Sequence, residues 1–159
     1  MNAWSACGAA LLAFGMLPVI WRVSVGPLSG RLLAQNAGST VVALAFLLLA
    51  QGYGRPSYVD LSLVLSLLGP VGTLVCVRLL DDDLKDGSPR GSTAVTVGCV
   101  AAAAAVTAAV CAATPPGRAL VEALLIGVLV AVGNVVATRA LSVGVVREPG
   151  AEREGGGAR

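Results

Sequence analysis

Residues 58–78 read YVDLSLVLSLLGPVGTLVCVR, and this apolar run decides the fold of the chain. As a helix with a rise of about 1.5 Å per residue it is about 31 Å long, which matches the hydrocarbon core of a bilayer. The run contains Asp60 about one turn from its start and a Gly69-Pro70 break near its middle. Because a carboxylate in hydrocarbon is costly, Asp60 needs a structural or a functional reason.

The composition extends this prediction to the whole chain. Of its 159 residues, 56% are hydrophobic and 13% are charged, and the mean hydropathy is +0.84. Further apolar runs lie near residues 3–21, 32–50, 93–113 and 119–141. Lipid offers the backbone no hydrogen-bond partners, and the runs do not alternate as barrel strands do. The predicted fold class is therefore an all-α integral membrane protein with five transmembrane helices.

The distribution of cations predicts the orientation. Nine of the 11 Lys and Arg residues fall on one side of the predicted helices, and only Arg55 and Arg118 fall on the other. The nine are Arg22, Arg31, Arg78, Lys85, Arg90, Arg139, Arg147, Arg153 and Arg159. Cytoplasmic loops are enriched in such residues, so the N-terminus is predicted outside and the C-terminus in the cytoplasm. The orientation also explains the net charge of +2, and no nucleic-acid partner is predicted.

Residues with metal-binding or catalytic chemistry are scarce. The chain has no histidine, and its four cysteines are scattered through predicted helices without a pair spacing, so they suit packing better than metal binding or disulfides. Asp81-Asp82-Asp83 fits a solvated cytoplasmic linker. We therefore predict no metal, no cofactor and no enzymatic activity.

Three polar residues inside the predicted helices are candidate functional residues: Gln35, Asn36 and Asp60. The amides of Gln35 and Asn36 suit hydrogen bonds to a neighbouring helix or a place on an ion route. Ser57-x-x-Asp60 matches a capping box, with Ser57 as N-cap, and a carboxylate in the first turn also suits the helix dipole. A helix-capping role and an ion-pathway role for Asp60 both stay open.

Glycines and arginines complete the set of candidate residues. Gly38, Gly69 and Gly72 provide small faces for close helix packing, and Pro70 predicts a kink. At headgroup level we expect three interfacial anchors, namely Arg22, Arg31 and Arg78. Five helices with such faces are expected to dock partly on other subunits.

The first half of the chain contains an ordered set of motifs. They are Arg22-x-x-x-Gly26-Pro27, then Arg31, Ala34 and Asn36, then Tyr58-x-Asp60, and the run through Leu68-Gly69-x-Val71-Gly72-Thr73 to Arg78. This set resembles the F subunit of Mrp-type multisubunit monovalent cation/proton antiporters. In that family an acidic residue usually stands where this chain has Gly30, and an aromatic residue where it has Pro70. A role that depends on the missing acid is not implied here.

The second half carries a weaker likeness. One stretch of it is similar to the last helix of the G subunit of the same antiporters: Leu125-Ile-x-Val-Leu-Val-x-Val-Gly-Asn134-x-Val136-Ala-Thr138-x-Ala140. Val135 and Arg139 stand in place of that subunit's usual Pro and His. The predicted units are therefore a three-helix unit at 1–80 that resembles the F subunit, a cytoplasmic linker at 81–92, a helix pair at 93–146 that resembles the G subunit, and a disordered tail at 147–159.

The resemblance implies an accessory subunit of a Na⁺(K⁺)/H⁺ antiporter in the cell membrane, with a part in pH homeostasis and sodium transport. Its partners would be other antiporter subunits, the lipid bilayer, and monovalent cations and protons. It would support assembly and line a cation route. The alternative is a self-contained small transporter acting as a homo-oligomer. Such a protein would normally carry an ionisable residue near the membrane midplane, and the sequence places none there.

Overall fold

The computed structural model describes residues 2–25, 27–79 and 92–146. They form five α-helices: α1 (Ala3–Val25), α2 (Leu28–Tyr53), α3 (Ser57–Leu79), α4 (Ser92–Ala113) and α5 (Arg118–Val146). Each helix is long and apolar enough to cross a membrane, which confirms the all-helical prediction with five spans. The predicted tail lies outside the described residues, and so does the predicted linker apart from residue 92, where α4 begins.

The turn residues explain the helix boundaries. Pro27, with φ −62° and ψ 162°, precedes α2 in an extended conformation, because proline fixes φ and cannot donate a backbone hydrogen bond. At the other end of α2, Gly54 has φ 62°, a left-handed conformation that glycine adopts without a steric penalty. The chain therefore reverses within a few residues at each end of α2, so α1, α2 and α3 run in alternating directions.

Helix α2 is the central element of the bundle. It packs against α1, α3, α4 and α5, whereas α1 packs only against α2 among the described helices. In the membrane-spanning window of α2, 61% of the residues are buried, compared with 11% in α1. The core centres on Leu44 and Leu47 of α2, Val110 of α4, and Ile126 and Val130 of α5. Helices α4 and α5 therefore pack on the same central helix as α1 and α3.

Small residues allow the backbones to approach closely at two crossings. A Cβ atom on Gly15 of α1 would lie 2.7 Å from Cγ1 of Val41 in α2, closer than two such atoms tolerate. Where α3 crosses α5, a Cβ on Gly133 would overlap the ring of Pro70. Without a hydrophobic driving force between helices in lipid, this close fit is a main source of their association.

Candidate functional site

A buried pair of amides joins α2 to α5 in the interior of the bundle. Nδ2 of Asn36 donates to Oδ1 of Asn134 at 2.9 Å. Nδ2 of Asn134 donates to Oγ1 of Thr40 at 2.8 Å and to the carbonyl of Val130 at 2.9 Å. Asn36 is 2% exposed and Asn134 is 3% exposed. Since a primary amide has two N–H donors, the donor capacity of Asn134 is fully used.

Hydroxyl groups extend this pair into a longer network. Oγ1 of Thr40 donates to the backbone carbonyl of Asn36 at 3.1 Å, and Oγ1 of Thr138 donates to the backbone carbonyl of Asn134 at 2.8 Å. The hydroxyls of Thr138 and Thr96 lie 2.7 Å apart, so the network also reaches α4. We call these five residues (Asn36, Thr40, Thr96, Asn134 and Thr138) the amide–hydroxyl network. The spacing of four residues between Asn36 and Thr40, and between Asn134 and Thr138, places each pair on one face of its helix.

The chemistry of the amide–hydroxyl network is that of neutral donors and acceptors. Amide and hydroxyl side chains do not ionise near neutral pH, so the network cannot by itself take up or release a proton. Oδ1 of Asn36 lies 3.5 Å from the place where a Cβ of Gly69 would stand, so this oxygen is close to α3. Carbonyl oxygens of this kind are suitable ligands for a monovalent cation.

The structure separates the two adjacent amides that the sequence singled out. Asn36 is buried in the network, whereas Gln35 is exposed on the bundle surface. The backbone carbonyl of Gln35 accepts a hydrogen bond from Oγ of Ser39 at 3.2 Å. One helical residue corresponds to a rotation of about 100°, which is enough to place neighbouring side chains on different faces.

The sequence analysis did not single out the partners of Asn36 in the amide–hydroxyl network. Asn134 and Thr138 are a polar pair four residues apart in a helix that is apolar from Ala123 to Gly133, and Thr40 follows Asn36 by four residues. Such spacing in a transmembrane helix indicates an interhelical polar contact. It does not indicate which helix provides the partner, and this depends on tertiary packing.

Asp60 occupies a different environment. It is exposed in the first turn of α3. The ring of Tyr58 stacks against Phe46 of α2 at a centroid distance of 6.0 Å, which puts Asp60 near the level of Phe46. Asn36 lies ten residues before Phe46, or about 15 Å along α2. The structure therefore does not bring Asp60 and Asn36 together.

The expected capping box is not formed. Helix α3 begins at Ser57 itself, and the amides of Val59 and Asp60 donate to the carbonyl of Pro56 at 2.8 and 3.3 Å. Pro56 therefore occupies the N-cap position, and Ser57 as N-cap is a wrong prediction. The N-cap is the residue whose carbonyl accepts the first helical hydrogen bond. In α3 that carbonyl belongs to Pro56 and not to Ser57. The helix dipole still favours a carboxylate at Asp60.

The three predicted interfacial arginines lie at the same end of the bundle. Arg22 is in the last turn of α1 and Arg78 is in the last turn of α3, where a cation also complements the helix dipole. Arg31 and Arg78 are exposed. Arg22 is half-buried, and its Nε lies 3.9 Å from the position of a Cβ on Gly30.

The predicted packing residues differ in their surroundings. A Cβ on Gly69 would lie 2.9 Å from Cβ of Ser39, and one on Gly38 would lie 3.1 Å from Cγ1 of Val19. Pro70 packs against Gly133. Gly72 is exposed, and a Cβ there would meet nothing within 4 Å among the described residues. Gly72 thus faces away from the bundle, whereas Gly38 and Gly69 lie at helix crossings.

The comparisons with known proteins give a family match in the central part of this bundle. Residues 30–81 match the family model of multiple resistance and pH regulation protein F (MrpF / PhaF), a family of membrane antiporter subunits. The match covers α2 from Gly30, the following turn and α3, and it includes Asn36 and Asp60. It confirms the resemblance to the F subunit of Mrp-type antiporters for these residues.

The remainder of the chain has no such support. No curated protein and no solved structure matches the chain. The resemblance of the second half to the G subunit is unsupported, and the division of the chain at residues 80 and 93 stays a prediction. The five apolar helices and the family match together establish a multi-pass protein of the cell membrane. The similarity of this 159-residue chain to the MrpF/PhaF family therefore covers residues 30–81 and does not extend to α1, α4 or α5.

Proposed function

We propose that this chain is an accessory membrane subunit of a multisubunit Na⁺(K⁺)/H⁺ antiporter, in which it supports assembly and lines part of a cation route. The observation that carries the proposal is the MrpF/PhaF match over residues 30–81. The matched segment forms the central helix α2 and its neighbour α3. The family resemblance therefore lies in the part of the chain that organises the bundle.

The positions of the carboxylates support a dependence on partner subunits. Within the described residues, Asp60 and Glu122 are the only carboxylates, and both lie near the end of the bundle opposite Arg22. Glu122 pairs with Arg118 at 2.9 Å, and Asp60 is exposed. A transmembrane proton path needs titratable groups along its length. In our proposal, the partner subunits provide most of these groups.

Two features support contributions to assembly and to a cation route. The outward face of α3 exposes large apolar side chains around Gly72, among them Leu68, Val71 and Val75. A glycine in such a face lets another helix approach closely. In the interior, Oδ1 of Asn36 offers an oxygen ligand towards α3. We infer that α3 docks on a partner subunit and that the cation passes near the α2–α3 crossing.

A co-expression experiment tests this function. The chain expressed alone should give no cation-dependent proton exchange in inverted vesicles, whereas co-expression with the other subunits should yield exchange and a purified complex. Gly72→Leu should reduce recovery of the complex, because the new side chain projects from the proposed docking face. Ala105→Leu is the matched control, since Ala105 of α4 is also exposed and lies outside the matched segment.

Robust antiport by the purified chain alone would contradict the accessory function and favour a self-contained transporter acting as a homo-oligomer. Gly38→Leu is a less suitable probe of docking. Gly38 is buried against Val19 of α1, so a leucine there would disturb the α1–α2 contact within the chain itself.

A further inference from the structure

We propose that the groove between α1 and α4 binds one acyl chain of an anionic phospholipid, with Arg22 holding the headgroup. This inference does not depend on the antiporter function. The groove has a volume of about 380 Å³, within the roughly 300–1,000 Å³ range of small-molecule sites. Helices α1 and α4 form its walls and α2 forms its floor, and α1 does not pack directly against α4 in the described part of the chain.

The dimensions of the groove match one leaflet of a bilayer. Along α1 it extends from Leu11 to Arg22, which corresponds to about 16 Å of helix. A hydrocarbon core of about 30 Å gives about 15 Å per leaflet. Arg22 lies in the last turn of α1, where the helix leaves the apolar region. A lipid placed in the groove would therefore have its phosphate level with the guanidinium.

The lining of the groove suits hydrocarbon. Apart from Arg22, its polar lining residues are Thr40 and Cys99. The hydroxyl of Thr40 donates to Asn36 and accepts from Asn134, so it is already satisfied within the protein. Gly98 and Ala102 of α4 leave the wall without bulky side chains. An apolar passage of this kind favours an acyl chain over water or a hydrated ion.

Arg22 supplies the charge complementarity. A guanidinium carries a positive charge and five N–H donors in a planar arrangement that fits phosphate oxygens. Gly30 of α2 lies beside this guanidinium and also lines the groove. Because Gly30 lacks a side chain, the mouth of the groove stays open next to Arg22. A zwitterionic lipid would bind less well, since its ammonium group opposes the arginine.

A partner helix is a less suitable occupant. The apolar side chains of a helix would match the lining of the groove but not the guanidinium at its mouth. An anionic phospholipid matches both, because its acyl chain is apolar and its phosphate is a hydrogen-bond acceptor for arginine.

Native mass spectrometry of the purified full chain tests the proposal, with phosphatidylglycerol and phosphatidylcholine added in turn. Wild type should retain one phosphatidylglycerol in preference to phosphatidylcholine. Gly98→Leu should reduce this retention about tenfold, because its side chain projects into the groove. Gly72→Leu is the matched control, as it adds the same side chain on the outer face of α3 and should leave retention unchanged.

The headgroup contact has its own pair of variants. Arg22→Gln should lower the preference for phosphatidylglycerol about fivefold, the effect of one cation near an anionic headgroup. Arg31→Gln removes a charge at the same end of the bundle, outside the residues that line the groove, and should have a smaller effect. Phosphatidylglycerol with a photoreactive group in its acyl chain should label residues 11–22 and 95–102 of the wild-type protein, a measurement that needs no variant.

Three results would overturn the proposal. Equal retention of the two lipids by wild type would remove the role of Arg22. Labelling that is spread evenly over α1, α3 and α4 would indicate bulk lipid. If Gly98→Leu kept full lipid retention but lost recovery with the other subunits, the groove would be a site for a partner helix.

Discussion

The side-chain amide of Asn36 donates to Oδ1 of Asn134 at 2.9 Å across a separation of 98 residues. This bond connects the family-matched segment to α5, which lies outside the match. Both residues are almost completely buried, so neither amide has water as an alternative partner. The bond is therefore a specific link between the two halves of the chain.

Asn36→Leu should destabilise the bundle by about 0.6–2 kcal/mol, the range for interhelical hydrogen bonds in membranes. The substitution removes the donor to Asn134 and leaves the buried Oδ1 of Asn134 without this hydrogen bond. Thermal or denaturant unfolding in detergent measures the change. Gln35→Leu is the matched control, since the neighbouring amide is exposed and its loss should have little effect. In Asn36→Leu/Asn134→Leu the two effects should not add, because the residues share one interaction. Equal effects of Gln35→Leu and Asn36→Leu would contradict the structure.

Gly133→Ala should destabilise the α3–α5 crossing by about 1–3 kcal/mol, as overpacking of a close contact does. The added methyl group would overlap the ring of Pro70. Pro70→Ala in the same chain should recover part of the loss by removing that ring. The control is Gly72→Ala, where the methyl group meets nothing within 4 Å in the part of the chain that the structure describes; it should be neutral or slightly stabilising. Unfolding in detergent measures the stability of each variant. An unchanged stability of Gly133→Ala would contradict the close contact between Gly133 and Pro70.

Asp60→Asn should reduce local stability by about 0.3–1 kcal/mol, because the carboxylate no longer complements the positive end of the helix dipole. In the assembled antiporter we expect a partial exchange defect with an altered apparent affinity for the cation and normal complex recovery. Glu122→Gln is the matched control, a second carboxylate near the start of its helix at the same end of the bundle. Exchange and assembly identical to wild type would remove Asp60 from the candidate site.

Single cysteines at positions 57 and 88 should label from opposite sides of the membrane in a background without the four native cysteines. The expected orientation places position 57 outside and position 88, in the predicted linker, in the cytoplasm. The physical reason is the asymmetry of Lys and Arg between the two sets of loops. Impermeant maleimide applied to right-side-out and inverted vesicles measures this. Labelling of both positions from one side would contradict the predicted topology.

The sequence by itself determined the number and type of the elements. A span in lipid must satisfy its own backbone hydrogen bonds, so about 20 apolar residues specify a helix regardless of their neighbours. Turn chemistry at Pro27 and Gly54 likewise acts locally, and the structure has helix boundaries at both. The resemblance to the F subunit was also readable from the sequence, and the family match at residues 30–81 covers its motifs from Arg31 to Arg78.

Only the tertiary structure decided which residues face inwards. In a soluble protein the apolar face of a helix indicates the core, but lipid is as apolar as leucine, so helices in a membrane carry a much weaker signal. The sequence therefore could not distinguish buried Asn36 from exposed Gln35, or place α2 at the centre. It also could not show that Gly133 faces Pro70 or that Pro56 takes the N-cap position from Ser57. These relationships depend on the fit between side chains that are far apart in the sequence, or on backbone geometry at a single turn, and a pattern of apolar residues records neither.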